Sequence, residues 1–330
     1  MTLNVLLSAA GRRVALARIF KEELRRLGLH GGVLAADASP LSAAFHDADV
    51  RLIVPVCTER AFIATVLSAC REHAVGLLVP TIDPELPVFA AHRAEFAAIG
   101  TTLAVSAPDT IAIGYDKLRT HEWLVRHGFP TVRQACVAEV LRTSGAWPWP
   151  LIVKPRRGSA SIGVRLVDDV AALRAATRNG DYVVQTVAPG HEHTVDVLVQ
   201  RDGRCVCAVP RRRLEVRAGE VSKGVTVRNA AIESLAKQVA ESLPGAYGAL
   251  NIQIFHEPST AELRVIEINA RFGGGYPLTD RAGAPMARWL LEEVAGLPSS
   301  ATSQEWQAGI VMLRFDDAIF VDARQTGLSV

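Results

Sequence analysis

Across roughly the first third of the chain, short apolar runs alternate with amphipathic stretches, and this alternation narrows the possible folds more than any other feature. Asn4–Leu7, Gly32–Ala36, Arg51–Val54, Gly76–Val79 and Thr102–Val105 read as buried strands. Val14–Leu27, Arg60–His73 and Pro84–Ala98 carry the apolar spacing of helices. A strand–helix repeat of this kind predicts a parallel sheet with helices on both faces. Ligands of such sheets collect beyond the carboxyl ends of the strands. Those ends carry Ser8–Arg12, Asp37-Ala38-Ser39 and Thr81-Ile82-Asp83-Pro84-Glu85. The first strand–helix turn reads Ser8-Ala9-Ala10-Gly11-Arg12-Arg13 and lacks the glycines of a dinucleotide fingerprint. Arg12 is a candidate for an anion at the helix start; a solvated surface arginine is the equal alternative.

After Pro108 the rhythm changes. Lys117–His127 reads as a helix closed by Gly128, and residues 145–150 form a turn-rich connector. Longer strands then follow one another: Leu151–Lys154, Gly163–Val167, Tyr182–Gln185, His193–Gln200 and Cys205–Val209, with a hairpin signal at Asp202-Gly203. Helices are predicted at Asp169–Thr177 and Ile232–Leu243. This is a mixed α+β body with an antiparallel sheet. Its 330 residues, 49% of them hydrophobic, can bury one or two cores.

Charge excludes some partners. Lys and Arg number 36 against 34 Asp and Glu, a net +2, without the basic excess of a nucleic-acid binder. Five scattered cysteines predict neither a disulfide framework nor a zinc site, and Cys205 and Cys207 read as small buried groups. The spacing of His191 and His193 reads as an exposed strand face beside a hinge, and zinc is not expected there. No apolar stretch reaches the ~18 residues of a membrane span. The opening residues lack a basic leader, so the expected compartment is the cytoplasm.

Three segments carry chemistry. In the first, Leu151-Ile152-Val153-Lys154 delivers a lysine on a strand, and the small-residue loop Gly158-Ser159-Ala160-Ser161-Ile162-Gly163 follows it. Small residues let backbone N–H groups approach phosphate oxygens, although a plain hairpin offers the same pattern. In the second, Gln253 lies on one apolar strand, and Glu267, Asn269 and Arg271 share a face of the next, ahead of Gly273-Gly274-Gly275. A carboxylate with amide oxygens suits Mg²⁺ that is also held by phosphates; a solvated polar face is the alternative. In the third, Tyr182–Gln185 runs into Thr186-Val187 and then Pro189-Gly190-His191-Glu192. Its free backbone groups suit an adenine edge and Glu192 a ribose, or the segment is simply a turn.

In this order the segments resemble the ATP-grasp superfamily over nearly the whole chain, and within it the large chain of carbamoyl-phosphate synthase. The resemblance implies a Rossmann-like pre-ATP-grasp α/β domain at 1–107. A small ATP-grasp subdomain would follow at 108–187 and a C-terminal subdomain with the metal site at 188–330. It implies nucleotide lysines at Lys117 and Lys154, and a phosphate-covering loop Gly158, Ser159, Ala160, Ser161 and Gly163. Gln185, Thr186 and Val187 would form the adenine hinge and Glu192 the ribose carboxylate. The magnesium ligands would be Gln253, Glu267 and Asn269, with Arg271 on the transferring phosphoryl group. Arg271, Lys154 and Asn269 are then the catalytic set. Gln185-Thr186 departs from the glutamate-bearing hinges of many members.

The expected cofactors are ATP and Mg²⁺, two ions, with Mn²⁺ as an alternative. The expected activity phosphorylates a small carboxylate and passes the acyl group to an amine. The alternatives are bicarbonate phosphorylation and an ATP-binding regulator without turnover. Within the polar insert Arg211–Val227, Arg211, Arg213 and Lys223 are substrate candidates; Gly274 and, for an ammonium group, Asp83 join them. Small-molecule acids and amines are the expected partners, with no nucleic acid and no membrane. The apolar stretch Leu41–Phe45 is a candidate homodimer surface.

Overall fold

The computed structural model describes residues 2–158, 162–217 and 219–328. Its N-terminal part is a five-stranded parallel sheet in the order β3-β2-β1-β4-β5. The strands are β1 (Asn4–Ser8), β2 (Val33–Asp37), β3 (Val50–Ile53), β4 (Val75–Pro80) and β5 (Thr102–Leu103). Between them run α1 (Val14–Arg26), α2 (Ala43–Asp47), α3 (Phe62–Glu72), α4 (Glu85–Ala91) and α5 (Arg93–Ala98). The helix expected over Pro84–Ala98 is two helices that break at His92. Phe89 and Phe96 are both buried and in edge contact, so the apolar spacing runs on through the break.

Helix α6 (Pro108–Tyr115) and helix α7 (Lys117–Arg126) follow. Asp116 starts α7 as its N-cap, accepting from the backbone N–H of Leu118 and Arg119. A four-stranded antiparallel sheet in the order β6-β9-β7-β8 comes next. It consists of β6 (Gln134–Cys136), β7 (Leu151–Pro155), β8 (Arg165–Val167) and β9 (Tyr182–Thr186), with α8 (Val137–Arg142) and α9 (Val170–Ala176) packed on it.

The largest sheet has six antiparallel strands in the order β14-β13-β10-β11-β12-β15. These are β10 (His191–Val199), β11 (Cys205–Arg217), β12 (Glu220–Thr226), β13 (Gly248–Glu257), β14 (Glu262–Asn269) and β15 (Val311–Leu313). Helix α10 (Ala230–Ser242) covers one face; α11 (Tyr276–Arg281) and α12 (Met286–Val294) lie beyond β14. The segment read as a polar insert at Arg211–Val227 is the second half of β11 and the whole of β12. It is polar because Arg211, Arg213 and Glu220 line a cleft while residues 214–217 are exposed.

The two faces of this sheet explain the packing. Val195, Val197, Ala208, Leu250, Ile252 and Ile268 point to the face under α10 and join one continuous core. On the opposite face Leu198, Cys207, Val209 and Ala249 pack with Phe20 and Leu24 of α1 and Leu77 and Val79 of β4. That contact welds the large sheet to the N-terminal part. Cys205 and Cys207 are buried and unpaired, and burial pushes both thiols up to about 12.

Two sequence expectations change here. Phe45 and Ala44 are buried in the second core and only Leu41 is well exposed, so Leu41–Phe45 presents no continuous apolar surface. His193 is buried, and burial pulls its pKa down to about 4; only His191 lies on the exposed side. No helix among the described residues is long and apolar enough to cross a membrane.

Candidate active site

The face of the large sheet that begins apolar against the N-terminal part ends polar. Register places Thr194 and Asp196 of β10 opposite Gln253 and Asn251 of β13. Those two in turn lie opposite Glu267 and Asn269 of β14. Thr194 also faces Arg211 of β11. Because opposite residues of an antiparallel pair share a face, one strand alternation fixes all of these side chains on one platform. Arg271, two residues beyond Asn269, leaves the sheet and reaches across to the N-terminal part. Its Nε and Nη2 donate to Asp83 Oδ1 and Oδ2 at 2.8 and 2.7 Å. Burial disfavours the Arg271 charge, yet Asp83, with Glu267 and Glu220, outweighs it and raises the pKa.

The platform floors a cleft of about 360 Å³. Its roof comes from the turn after β1 (Ala9–Arg13) and from Thr81, Ile82 and Asp83 after β4. These are carboxyl ends of parallel strands, where the sequence placed a ligand. Gly273-Gly274-Gly275 and the tip of the β11–β12 hairpin close the sides. A smaller recess shares Asp83, Glu267 and Asn269 with this cleft and is also lined by Lys117 and Gly158. The expected lysine–glycine segment and the expected metal ligands therefore meet across one gap.

Lys117 and Lys154 are both buried. Lys117 Nζ donates to the Gly158 carbonyl at 2.6 Å. Gly158 has φ +112°, a conformation that any other residue would strain to adopt. Burial lowers the pKa of Lys154 to about 8; Glu267 opposes that shift and Lys117 adds to it. Arg156 ties the two lysine segments together: Nε donates to both oxygens of Asp116 at 2.8 and 2.9 Å. The Lys117 N–H also donates to the Arg156 carbonyl at 3.1 Å, and Gln134 Nε2 donates to the Lys117 carbonyl at 2.7 Å. Ser159, Ala160 and Ser161 of the expected loop lie outside the described residues.

At the hinge, Gln185 is buried and its Oε1 has no partner among the described residues. An acceptor left without a donor is costly unless a ligand supplies one, and an exocyclic amine does. Thr186 is half-buried and Val187 exposed at the strand's end. Glu192 pairs with Arg213; burial raises the carboxyl pKa against that arginine's pull.

The substrate candidates separate. Arg211, Arg213, Asp83 and Gly274 line the cleft. Lys223 does not: register sets Gly224 opposite Arg213 and Thr226 opposite Arg211, leaving Lys223 on the other face, half-exposed and paired with Glu215 at 2.6 Å. Asp83 was expected to meet an ammonium group, but both its oxygens are engaged by Arg271.

Sequence reasoning missed a buried network beneath the platform. Asp196 accepts from Arg211 Nε and Nη2 at 2.8 and 2.9 Å and from Thr279 Oγ1 at 2.5 Å. A charged residue inside the apolar run Val195–Val199 was the available signal. Asn251 was missed too; its Nδ2 donates to the Arg271 carbonyl at 3.1 Å and shapes the turn that carries that arginine. Arg13 and Glu220, paired at 3.2 Å across the cleft, left no local signal.

Comparison with known proteins agrees with this architecture. Residues 5–104 match the PylC-like, N-terminal domain family, and residues 115–275 match the ATP-grasp domain family. The D-alanine–D-alanine ligase of Stutzerimonas stutzeri is 39% identical over 95 residues, 26% of this chain and 30% of that protein. The ligase of the same name from Syntrophotalea carbinolica is 33% identical over 106 residues, 30% of this chain and 35% of that one. The matches thus span about a third of those relatives' length. Among solved structures, the biotin carboxylase domain of Hydrogenobacter thermophilus 2-oxoglutarate carboxylase, determined with MgADP, ADP and bicarbonate, superposes with a TM-score of 0.73 at 17% identity. That match covers 93% of this chain and 73% of that one. N5-carboxyaminoimidazole ribonucleotide synthetase from Thermotoga maritima gives 0.66 at 18%, covering 92% and 78%. With both of its parts matched in chain order, this protein joins a PylC-like N-terminal domain to an ATP-grasp domain.

Proposed function

We propose that the chain is an ADP-forming ligase that uses ATP to activate a small carboxylate as an acyl phosphate and couples it to an amine. One observation carries the reading: Lys117 and Gly158 share a recess with Glu267 and Asn269, and Lys154 is charge-coupled to Glu267. A cationic lysine pair opposite a carboxylate–amide set suits a nucleotide triphosphate with its metal.

The donor chemistry fits a hard cation. Glu267 has no hydrogen-bond or ion-pair partner among the described residues and lies directly opposite Gln253, with Asn269 two residues on. Gln253, Glu267 and Asn269 would hold Mg²⁺ together with phosphate oxygens, and the ion would supply charge neutralisation for phosphoryl transfer. Oxygen ligands of this kind also accept Mn²⁺, and how many ions bind is a question for titration. Lys117 and Lys154 hold the phosphates in line. Arg271, fixed by Asp83 and by its Nη1 bond to the Phe272 carbonyl at 3.2 Å, lines the cleft where it would meet the transferring phosphoryl group. The loop that begins at Gly158 would exclude water that hydrolyses the acyl phosphate, and the Gly273–Gly275 backbone, which lines the cleft, would donate to it. Gln185 with Thr186 and Val187 receives adenine, and Glu192 receives the ribose once it exchanges Arg213 for the sugar hydroxyls.

The test is a coupled ADP-release screen of acid and amine pairs, with mass spectrometry of the products. An amine-dependent amide product supports the ligase. ADP release that needs bicarbonate, and no other acid, selects the carbamoyl-phosphate-synthase-like alternative. Tight MgADP binding with no acid-dependent release across the screen identifies an ATP-binding regulator.

A further inference from the structure

At the end of the cleft formed by Arg13, Arg211 and the glycine triplet, positive charge exceeds negative. Arg12, Arg13, Arg211 and Arg271 line the cleft, and Arg314 adjoins it through Glu220. Against these five stand three carboxylates, each already engaged. Asp196 is bound by Arg211, Asp83 by Arg271, and Glu220 is shared between Arg13 at 3.2 Å and Arg314 at 3.0 Å. Arg213, also on the cleft, is matched by Glu192, and Glu267 at the far end is a further carboxylate, so six arginines stand against five carboxylates and one positive charge is unmatched.

Arg211 is the key to what that charge awaits. Its residue is 1% exposed, and Nη1 has no hydrogen-bond partner among the described residues although Nε and Nη2 are both used. Leaving a charged donor buried and unpartnered is costly. The glycines are cut to fit around it. A Cβ on Gly275 would overlap Arg211 Nη1, and one on Gly274 would come within 2.6 Å of Arg13 Nη1 and 2.8 Å of Glu220 Oε2. The missing Cβ atoms are what let the two guanidinium groups lie directly against this backbone at the end of the cleft. Arg13 itself arrives from the N-cap of α1, whose first-turn N–H groups have no side-chain cap. Burial and the neighbouring Arg271, Arg314 and Arg12 all work against its charge, with Glu220 alone opposing them.

We infer that this end of the cleft is an anion subsite, formed jointly by Arg13 of the N-terminal part and Arg211 of the large sheet, for a carboxylate or phosphate group of the substrate other than the carboxylate that is activated. The substrate is then an acid with a second anionic group rather than a neutral amino acid. Glu220 acts as the internal competitor that holds Arg13 until the anion arrives. The inference rests on the ligase reading and narrows its substrate class.

The test uses the full chain loaded with the magnesium complex of the non-hydrolysable analogue AMPPNP, so that the phosphate end is filled. Inorganic phosphate is then titrated by calorimetry, with glutarate and the monocarboxylate butyrate in parallel. One phosphate or one glutarate is expected to bind per chain, and butyrate at least tenfold more weakly. The tighter of phosphate and glutarate identifies which anion the subsite prefers. Arg13→Gln should weaken anion binding at least tenfold and Arg13→Lys by less. Glu220→Gln should strengthen it several-fold, because the competing carboxylate is gone. All three should keep AMPPNP affinity within about twofold. If Arg13→Gln and Glu220→Gln both weaken the anion alike, the pair is only an interdomain bridge and the subsite is refuted. Absence of any phosphate or glutarate binding refutes it as well. Failure of the wild-type chain to bind the AMPPNP complex overturns the ligase reading itself.

Discussion

One face of the six-stranded sheet serves two purposes along the same strands. At one end Leu198, Cys207, Val209 and Ala249 are apolar and sealed against α1 and β4. A few residues along, Thr194, Arg211, Asn251, Gln253, Glu267 and Asn269 continue the same alternation as polar groups facing the cleft, with Asp196 buried beneath them. The apolar end fixes the platform by burial, which is non-directional and tolerant of small changes. The polar end depends on paired partners, each costly to leave alone. Side-chain chemistry can thus differ completely between the two ends while backbone register stays common. Substitutions at the apolar end should cost stability and spare chemistry, and those at the polar end should do the reverse, except where a polar group is itself buried.

The sharpest test is Glu267→Gln, which should lower ADP release by about a thousandfold or more while the circular dichroism spectrum and unfolding midpoint hold. Substantial remaining turnover would remove Glu267 from the metal site. Asp196→Ala comes next and is the exception that tests the rule. It leaves Arg211 buried without its partner, so denaturant unfolding should show a loss of about 3–5 kcal/mol. Leu198→Ala should cost about 2–4 kcal/mol by cavity formation, with kcat/KM nearly unchanged in the folded fraction. A large drop in kcat/KM there would mean that the apolar end tunes chemistry after all.

Lys154→Met reverses the sign. Burial holds the lysine's pKa near 8, against 10.5 in its ordinary state, so the folded chain carries this charge at a cost of about 3 kcal/mol below pH 8. The variant should bind MgADP at least tenfold more weakly yet unfold at a higher temperature. The smallest effect is in the wild-type pH dependence. Between about pH 8 and 10.5 the unfolded chain binds more protons at this site, so its contribution to stability rises with pH. Over the same range Lys154 loses its charge in the folded protein, and MgADP affinity should fall. Calorimetry in buffers of different ionisation heat should then show proton uptake on binding near pH 9, absent in Lys154→Met.

The sequence was most legible where local pattern and chemistry coincide. The N-terminal strands announce themselves as apolar runs, and the polar groups at Glu267, Asn269 and Arg271 stand out because their neighbours Val265, Ile266 and Ile268 are apolar. The break at His92 was hidden because Phe89 and Phe96 keep their spacing across it. The β11–β12 hairpin was hidden by its polarity, since a strand flanked by a cleft lacks the apolar alternation that betrays a strand. Partnerships across distance left no trace: Asp83 and Arg271 are 188 residues apart. Nothing local in either segment marks the other as its mate, and so Asp83 was read as free for an ammonium group.

The Asp116–Arg156 pair has a mechanical consequence. Asp116 starts the helix that carries Lys117, and Arg156 stands two residues beyond Lys154. Two side chains far apart in sequence are thereby riveted into one jaw. If the two lysines bind the triphosphate as proposed, neither can swing toward it without dragging the other, and their grip should engage and release as a single stroke. Cutting the rivet, with Asp116 replaced by Asn, would convert one concerted closure into two loose, separately timed ones.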